Sequence, residues 1–230
     1  MIALENVTLL KPGVMTRDPI LLEATEVFRM GERVGILATP GSGKSSIARL
    51  LAGIEHPDRG TIRREARVSW PIGFAGFLHP ELGVAENLSL FARLVGVAPR
   101  TVIDFCDDFC SIPNLSRKTM KDLPPTQRAM LGYACALSVP GPAMWIADEV
   151  ITIGEPRDRE RCDEILAERL EQGGLVFLSR NARQLKAYCD RFLVLINQRL
   201  VQCDDLEVAQ EALELSAHLS AQEQMRSEHA

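Results

Sequence analysis

No feature restricts the fold of this chain more than the stretch LATPGSGKSSIARLLAG, residues 37–53. It follows the pattern G-x-x-x-x-G-K-[ST] except at the first position, where Ala38 stands for glycine. Such a run carries meaning only between a buried strand and a helix. Both flanks are present. Arg33-Val34-Gly35-Ile36-Leu37 reads as a short buried strand, and Ile47, Leu50, Leu51 and Ile54 recur at helical spacing. Gly41 and Gly43 can turn backbone N–H groups inward with no Cβ in the way. The helix opening near Lys44 aims its unpaired N–H groups and partial positive charge at the same point. The expectation is a phosphate cradle made of Thr39, Pro40, Gly41, Ser42, Gly43, Lys44, Ser45 and Ser46. Lys44 would reach the β- and γ-phosphates, and the Ser45 hydroxyl would ligate Mg²⁺. Pro40 has no N–H and adds no donor. Ala38 closes the strand, where a methyl group is harmless at negative φ.

A loop of this kind needs a carboxylate on a neighbouring strand to hold Mg²⁺. AMWIADEV supplies one, with an apolar run ending in Asp148 and Glu149. Asp148 would reach the metal directly or through water. Glu149, one residue on, would face the attacking water as general base. The end of a strand is often acidic only because it is solvated; the phosphate loop is what turns this pair into a candidate site.

The remaining pattern frames these two motifs. IALENVTLL, ILLEATEVF and RVGILA read as strands, with turns at Pro12-Gly13 and Met30-Gly31. HPDRG reads as a turn, and TIRR and VSW as short strands. AENLSLFARLVG, TVIDFCDDFC and QRAMLGYACALS are helical in period, separated by Pro99 and the Pro124-Pro125 break. Strand and helix then alternate through AMWIADE, RERCDEILAERLEQ, GLVFLS, NARQLKAYC, RFLVLI and RLVQC. This predicts an α/β nucleotide-binding core over residues 1–203, with a helical insertion between about 84 and 138. The tail, 204–230, is acidic and helix-prone, with Leu206, Ala209, Leu213 and Leu219 as a weak apolar stripe.

Composition excludes other classes. At 230 residues the chain is long enough for one α/β domain with a full core. Its net charge of −5 argues against a nucleic-acid groove. The six cysteines lack metal-site spacing and read as reduced, mostly buried thiols. No signal peptide opens the chain and no apolar run approaches a membrane span, so a cytoplasmic protein is expected, tied to a membrane only through a partner.

The order of parts resembles the ATP-binding subunit of an ABC transporter across residues 1–203. VSWPIGFAGFLHPELGVAEN (68–87) and DEVITIGEP (148–156) resemble the branch that exports capsular polysaccharide, O-antigen and teichoic acid. That branch carries S-W-P-x-G ahead of its glutamine loop and D-E-V-x-x-x-G-D after its metal-binding strand; YCDRFLVLINQRLV (188–201) fits the same template. The resemblance implies a P-loop NTPase of ABC type, with a mixed β core and an inserted helical subdomain. It implies an ATPase using ATP and Mg²⁺, a polytopic permease contacted through residues 70–95, and a second ATP-binding subunit, identical or paralogous. Its site would lie on the cytoplasmic face of the membrane.

Several family positions are changed. His79 stands for the glutamine that senses the γ-phosphate, and Arg180, in LSRN, for the switch histidine; with Glu149 they complete the expected catalytic set. Leu123-Pro124-Pro125-Thr126-Gln127 stands for the signature L-S-G-G-Q, whose N–H groups bind the γ-phosphate held by the opposite subunit. Pro124 and Pro125 delete two donors and a hydroxyl there. Arg180 can donate to phosphate but cannot accept. Glu155 replaces an aspartate, and no aromatic residue for adenine stands at 16–20. Mg·ATP binding is thus expected intact and turnover weakened. Two alternatives remain at this level: a regulatory ATP-binding partner of an intact paralogue, and a small-molecule P-loop kinase, which the late Asp-Glu fits poorly.

Overall fold

Two sheets share the work of the core, and the computed structural model describes them through residues 1–11, 13, 18–213 and 215. The larger sheet contains β3 (Arg33–Leu37), β5 (Met144–Asp148), β6 (Gly174–Ser179), β7 (Arg191–Ile196) and β8 (Arg199–Cys203), in the order β5-β6-β3-β7-β8. The first four are parallel, and β8 runs antiparallel to β7. Parallel strands covered on both faces read as unbroken apolar runs, and every residue of β6 is buried. Asn197 and Gln198, both at positive φ, make the two-residue turn whose twist suits the β7–β8 hairpin.

The smaller sheet is antiparallel. It pairs β2 (Pro19–Phe28), β1 (Ile2–Leu10) and β4 (Arg59–Arg64) in the order β2-β1-β4. Helix α1 (Lys44–Ala52) packs between the sheets, with Ile47, Leu50 and Leu51 in one cluster with Leu21, Phe28, Ile36 and Ile146.

Between β4 and β5 the chain runs through α2 (Val84–Leu94), α3 (Pro99–Cys110), two single 3-10 turns and α4 (Pro125–Ser138). Pro99 and Pro125, expected as breaks, are instead the opening residues of α3 and α4, where a missing N–H costs nothing. Phe91, Tyr133, Trp145 and Phe177 join these helices to the other face of the large sheet. Helices α5 (Pro156–Leu170) and α6 (Ala182–Tyr188) follow β5 and β6.

The expected strand VSW does not form. Val68 and Ile72 make only isolated parallel bridges to Met144 and Ala147. Pro71 supplies no donor, and the Ser69 hydroxyl accepts the Ile146 N–H in place of a backbone carbonyl at 2.9 Å. The segment still braces the end of β5, because the Asp148 N–H bonds to the Ile72 carbonyl at 3.0 Å. In the tail, residues 206–213 are helical, and Leu206, Ala209 and Leu213 are buried in the main core. Leu219 and the end of the tail lie outside the described residues, as do Pro12 and positions 16 and 17 of the adenine-facing stretch. Among the described residues no helix is long and apolar enough to cross a membrane.

Candidate nucleotide site

The loop after β3 keeps strand geometry for one more residue. The Ala38 N–H bonds to the Ser179 carbonyl at 3.1 Å, and Ala38 is buried without positive φ, so glycine is not required there. Gly43 is different. Its φ is 92°, and a Cβ would stand 2.3 Å from Ile20 Cγ2. Only glycine allows the chain to turn at this point and start α1. Ser42 braces the turn, its hydroxyl donating to the Thr39 carbonyl at 2.7 Å. The N–H groups of Lys44, Ser45 and Ser46 take no backbone carbonyl among the described residues. They form the open, electropositive end of α1.

Four side chains expected at the site meet here. Lys44 is 7% exposed, and its Nζ donates to the Thr39 carbonyl at 2.8 Å and lies 2.9 Å from Glu149 Oε1. Glu149 follows β5 with φ 60°, a left-handed conformation that is sparsely populated for glutamate. Its N–H bonds to the Leu178 carbonyl at 2.8 Å, and Oε2 accepts from Ser179 Oγ and the Arg180 N–H, each at 3.4 Å. Asp148 is largely buried; burial pushes its carboxyl up, while the facing Ser45 hydroxyl and the Lys44 charge pull it down. Its Oδ1 is buried with no hydrogen-bond partner among the described residues. A buried carboxylate oxygen with an open coordination position, beside a serine hydroxyl, is the donor set a hard divalent cation takes. Ser45 and Asp148 therefore fit Mg²⁺.

The other expected residues are placed differently. Arg180 reaches Glu149 only through its backbone; its guanidinium is exposed and makes no hydrogen bond or ion pair among the described residues. His79 is exposed, and its Nδ1 accepts the Glu81 N–H at 3.2 Å. Its backbone is clamped by the Asn87 amide, at 2.7 and 3.1 Å. None of these partners belongs to the phosphate loop or the carboxylate pair. Pro124 caps α4 and Pro125 opens it, so both lack N–H groups at the helix end. The N–H groups of Thr126 and Gln127 remain there without backbone partners among the described residues, so the prolines remove two expected donors and leave these two in place. Sequence reasoning missed Ser179. It is fully buried at the end of GLVFLS and contacts Glu149; a lone polar residue closing an apolar strand was the available signal.

Comparison with known proteins bears on the family and the fold. The family model for the ABC transporter matches residues 23–152. The chain is 33% identical over 182 residues to the ATP-binding protein BexA of Haemophilus influenzae, covering 79% of this chain and 83% of that one. It is 30% identical over 214 residues to the capsule polysaccharide export ATP-binding protein CtrD of Neisseria meningitidis serogroup B, covering 92% and 97%. Among solved structures, the ATP-binding cassette MJ0796, a dimer in a post-hydrolysis state bound to ADP and Pi, superposes with a TM-score of 0.72. That match covers 87% of this chain and 96% of the cassette at 17% identity, which speaks for the fold alone.

Proposed function

Because the chain belongs to the ABC transporter family, we propose that it is the ATP-binding subunit of an exporter that moves a cell-surface polysaccharide through a separate membrane-spanning permease. The observation that carries this reading is the meeting of Lys44, Glu149 and Asp148, with its unpartnered Oδ1, at one helix end. The similarity to CtrD, a capsule polysaccharide export ATP-binding protein, and to the polysialic acid transport ATP-binding protein KpsT of Escherichia coli supports the polysaccharide part.

In this reading ATP enters over the open end of α1. The N–H groups of the loop take the phosphate oxygens, and Lys44 leaves Thr39 and Glu149 for the β- and γ-phosphates. Ser45 and Asp148 would hold Mg²⁺, which would supply positive charge against the phosphate oxygens. Glu149, released from the lysine, orients the attacking water and accepts its proton as the water oxygen bonds to the γ-phosphorus and the bridging bond to the β-phosphate breaks in line, with ADP leaving. Ser179 and the Arg180 N–H hold the second carboxylate oxygen and so keep the base aimed. A second ATP-binding subunit closes the site with its signature helix. The permease docks against residues 70–95, where Leu90 and Leu94 are 52% and 63% exposed on α2. The protein then works as a peripheral subunit on the cytoplasmic face of the membrane.

Deletion of the gene in its native cell tests the exporter role. Surface polysaccharide should disappear and accumulate inside, and return with the wild-type chain but not with Lys44→Ala. Unchanged surface polysaccharide in the deletion strain would overturn the assignment.

A further inference from the structure

Helix α4 touches two loops through adjacent residues. At Gly132 it approaches the loop around Ala75 so closely that a Cβ would stand 2.6 Å from Ala75 Cβ. Tyr133 faces the other way, into the loop that follows β5. Its hydroxyl donates to the Ile151 carbonyl at 2.7 Å. Tyr133 is 1% exposed and Ile151 2%. Burial pushes the phenol far up, so it remains a donor.

A buried tyrosine hydroxyl needs a partner wherever it sits. The position of this partner is what gives the contact a consequence. Ile151 lies two residues beyond Glu149, in a backbone that is already constrained. Glu149 is at φ 60°, and the Val150 N–H bonds back to the Asp148 carbonyl at 2.7 Å. Such a conformation persists only when its surroundings hold it. Further along, the loop is tied by its own downstream helix, through Arg159 Nε to the Gly154 carbonyl at 2.9 Å and the Cys162 thiol to the Ile153 carbonyl at 3.8 Å. Among the described residues, Tyr133 is the side chain of α4 that hydrogen-bonds this loop.

We propose that the Tyr133 hydroxyl is a positioning group for Glu149. By fixing the Ile151 carbonyl it holds the turn from which the Glu149 carboxylate reaches Lys44, and it links that turn to the helix bearing residues 124–127. Among the described residues the Tyr133 hydroxyl makes no hydrogen bond to the Glu149 side chain or the phosphate loop; it acts through the backbone. The inference rests on Glu149 as general base.

Tyr133→Phe keeps the ring and its packing and removes only the donor. The assay is ATP hydrolysis by the purified chain, with its permease present if the chain alone turns over too slowly. The expected result is a kcat about three- to tenfold lower with no loss of affinity for ATP or ADP. In a Glu149→Gln background the same substitution should not lower the residual rate further, because the group it positions is already gone. Hydrogen exchange over residues 148–153 of the nucleotide-free protein should accelerate. A merely structural hydroxyl would lower thermal stability and leave kcat of the folded protein unchanged, and that result overturns the proposal. A slow Glu149→Gln variant beside an unaffected Tyr133→Phe overturns this inference alone. A Glu149→Gln variant as fast as wild type overturns the reading of the base itself.

Discussion

Lys44 and Glu149 neutralise each other: Nζ lies 2.9 Å from Oε1, with the lysine 7% exposed and the glutamate 35%. The candidate phosphate-binding cation and the candidate base are thus paired with each other in this structure. Any nucleotide that recruits Lys44 must first compete with this contact and with the Thr39 carbonyl.

Removing the glutamate's charge should therefore help binding. ADP affinity in Glu149→Gln is expected to rise about three- to tenfold, the value of a partly buried ion pair. Calorimetric titration with ADP reads this without interference from hydrolysis. In a Lys44→Ala background the gain should vanish. A gain that persists there would mean that Glu149 simply repels phosphate and that the pair is not what opposes binding.

The Gly43 turn makes a second prediction. Gly43→Ala combines a φ of 92° with a Cβ 2.3 Å from Ile20 Cγ2, so either the loop or Ile20 must shift. Backbone strain and overpacking together suggest a loss of about 2–4 kcal/mol, read from denaturant unfolding, with impaired ATP binding. Wild-type stability and affinity in this variant would contradict the loop geometry. Gly41, at φ 76° with nothing within 4 Å of a Cβ, should suffer from backbone strain alone.

The phosphate loop, the strand before it and the Asp-Glu pair were legible in the sequence because each is local: a fixed spacing of glycines, a lysine, an apolar run ending in acid. The long periodic helices were legible for the same reason. What escaped depends on distant parts meeting. Ser179 and Tyr133 gain their roles only when β6 and α4 are packed beside the loop after β5. The burial of Leu206, Ala209 and Leu213 depends on a core surface that no local pattern reveals. His79 was readable as a family position, but its ring is engaged by the Glu81 N–H within its own turn, a contact set by loop geometry. VSW has strand composition, yet Pro71 breaks the ladder.

The start of α4 bears on turnover. Pro124 and Pro125 lack donors where the expected signature carries serine and glycine, while Thr126 and Gln127 keep theirs. In a dimer of identical chains both nucleotides would face this weakened end. Each missing donor to a charged acceptor is worth about 1 kcal/mol or more, so the isolated chain should hydrolyse ATP slowly. Pro124→Ser with Pro125→Gly should raise its steady-state rate about tenfold or more. Brisk, cooperative hydrolysis by the unmodified chain alone would contradict the weakened-signature account.

The central claim is that Lys44 binds the phosphates of ATP and Glu149 drives its hydrolysis. The most direct measurement is hydrolysis of labelled ATP at saturating concentration by wild type, Lys44→Ala and Glu149→Gln, with Mg·ATP affinity determined on the same preparations. Lys44→Ala should bind about ten- to a hundredfold more weakly, through loss of charge-assisted contacts. Glu149→Gln should bind at least as tightly as wild type and lose about a hundredfold or more in rate, because an amide fills the same space but takes no proton. Equal affinity in the lysine variant, or wild-type turnover in the glutamine variant, would contradict the account.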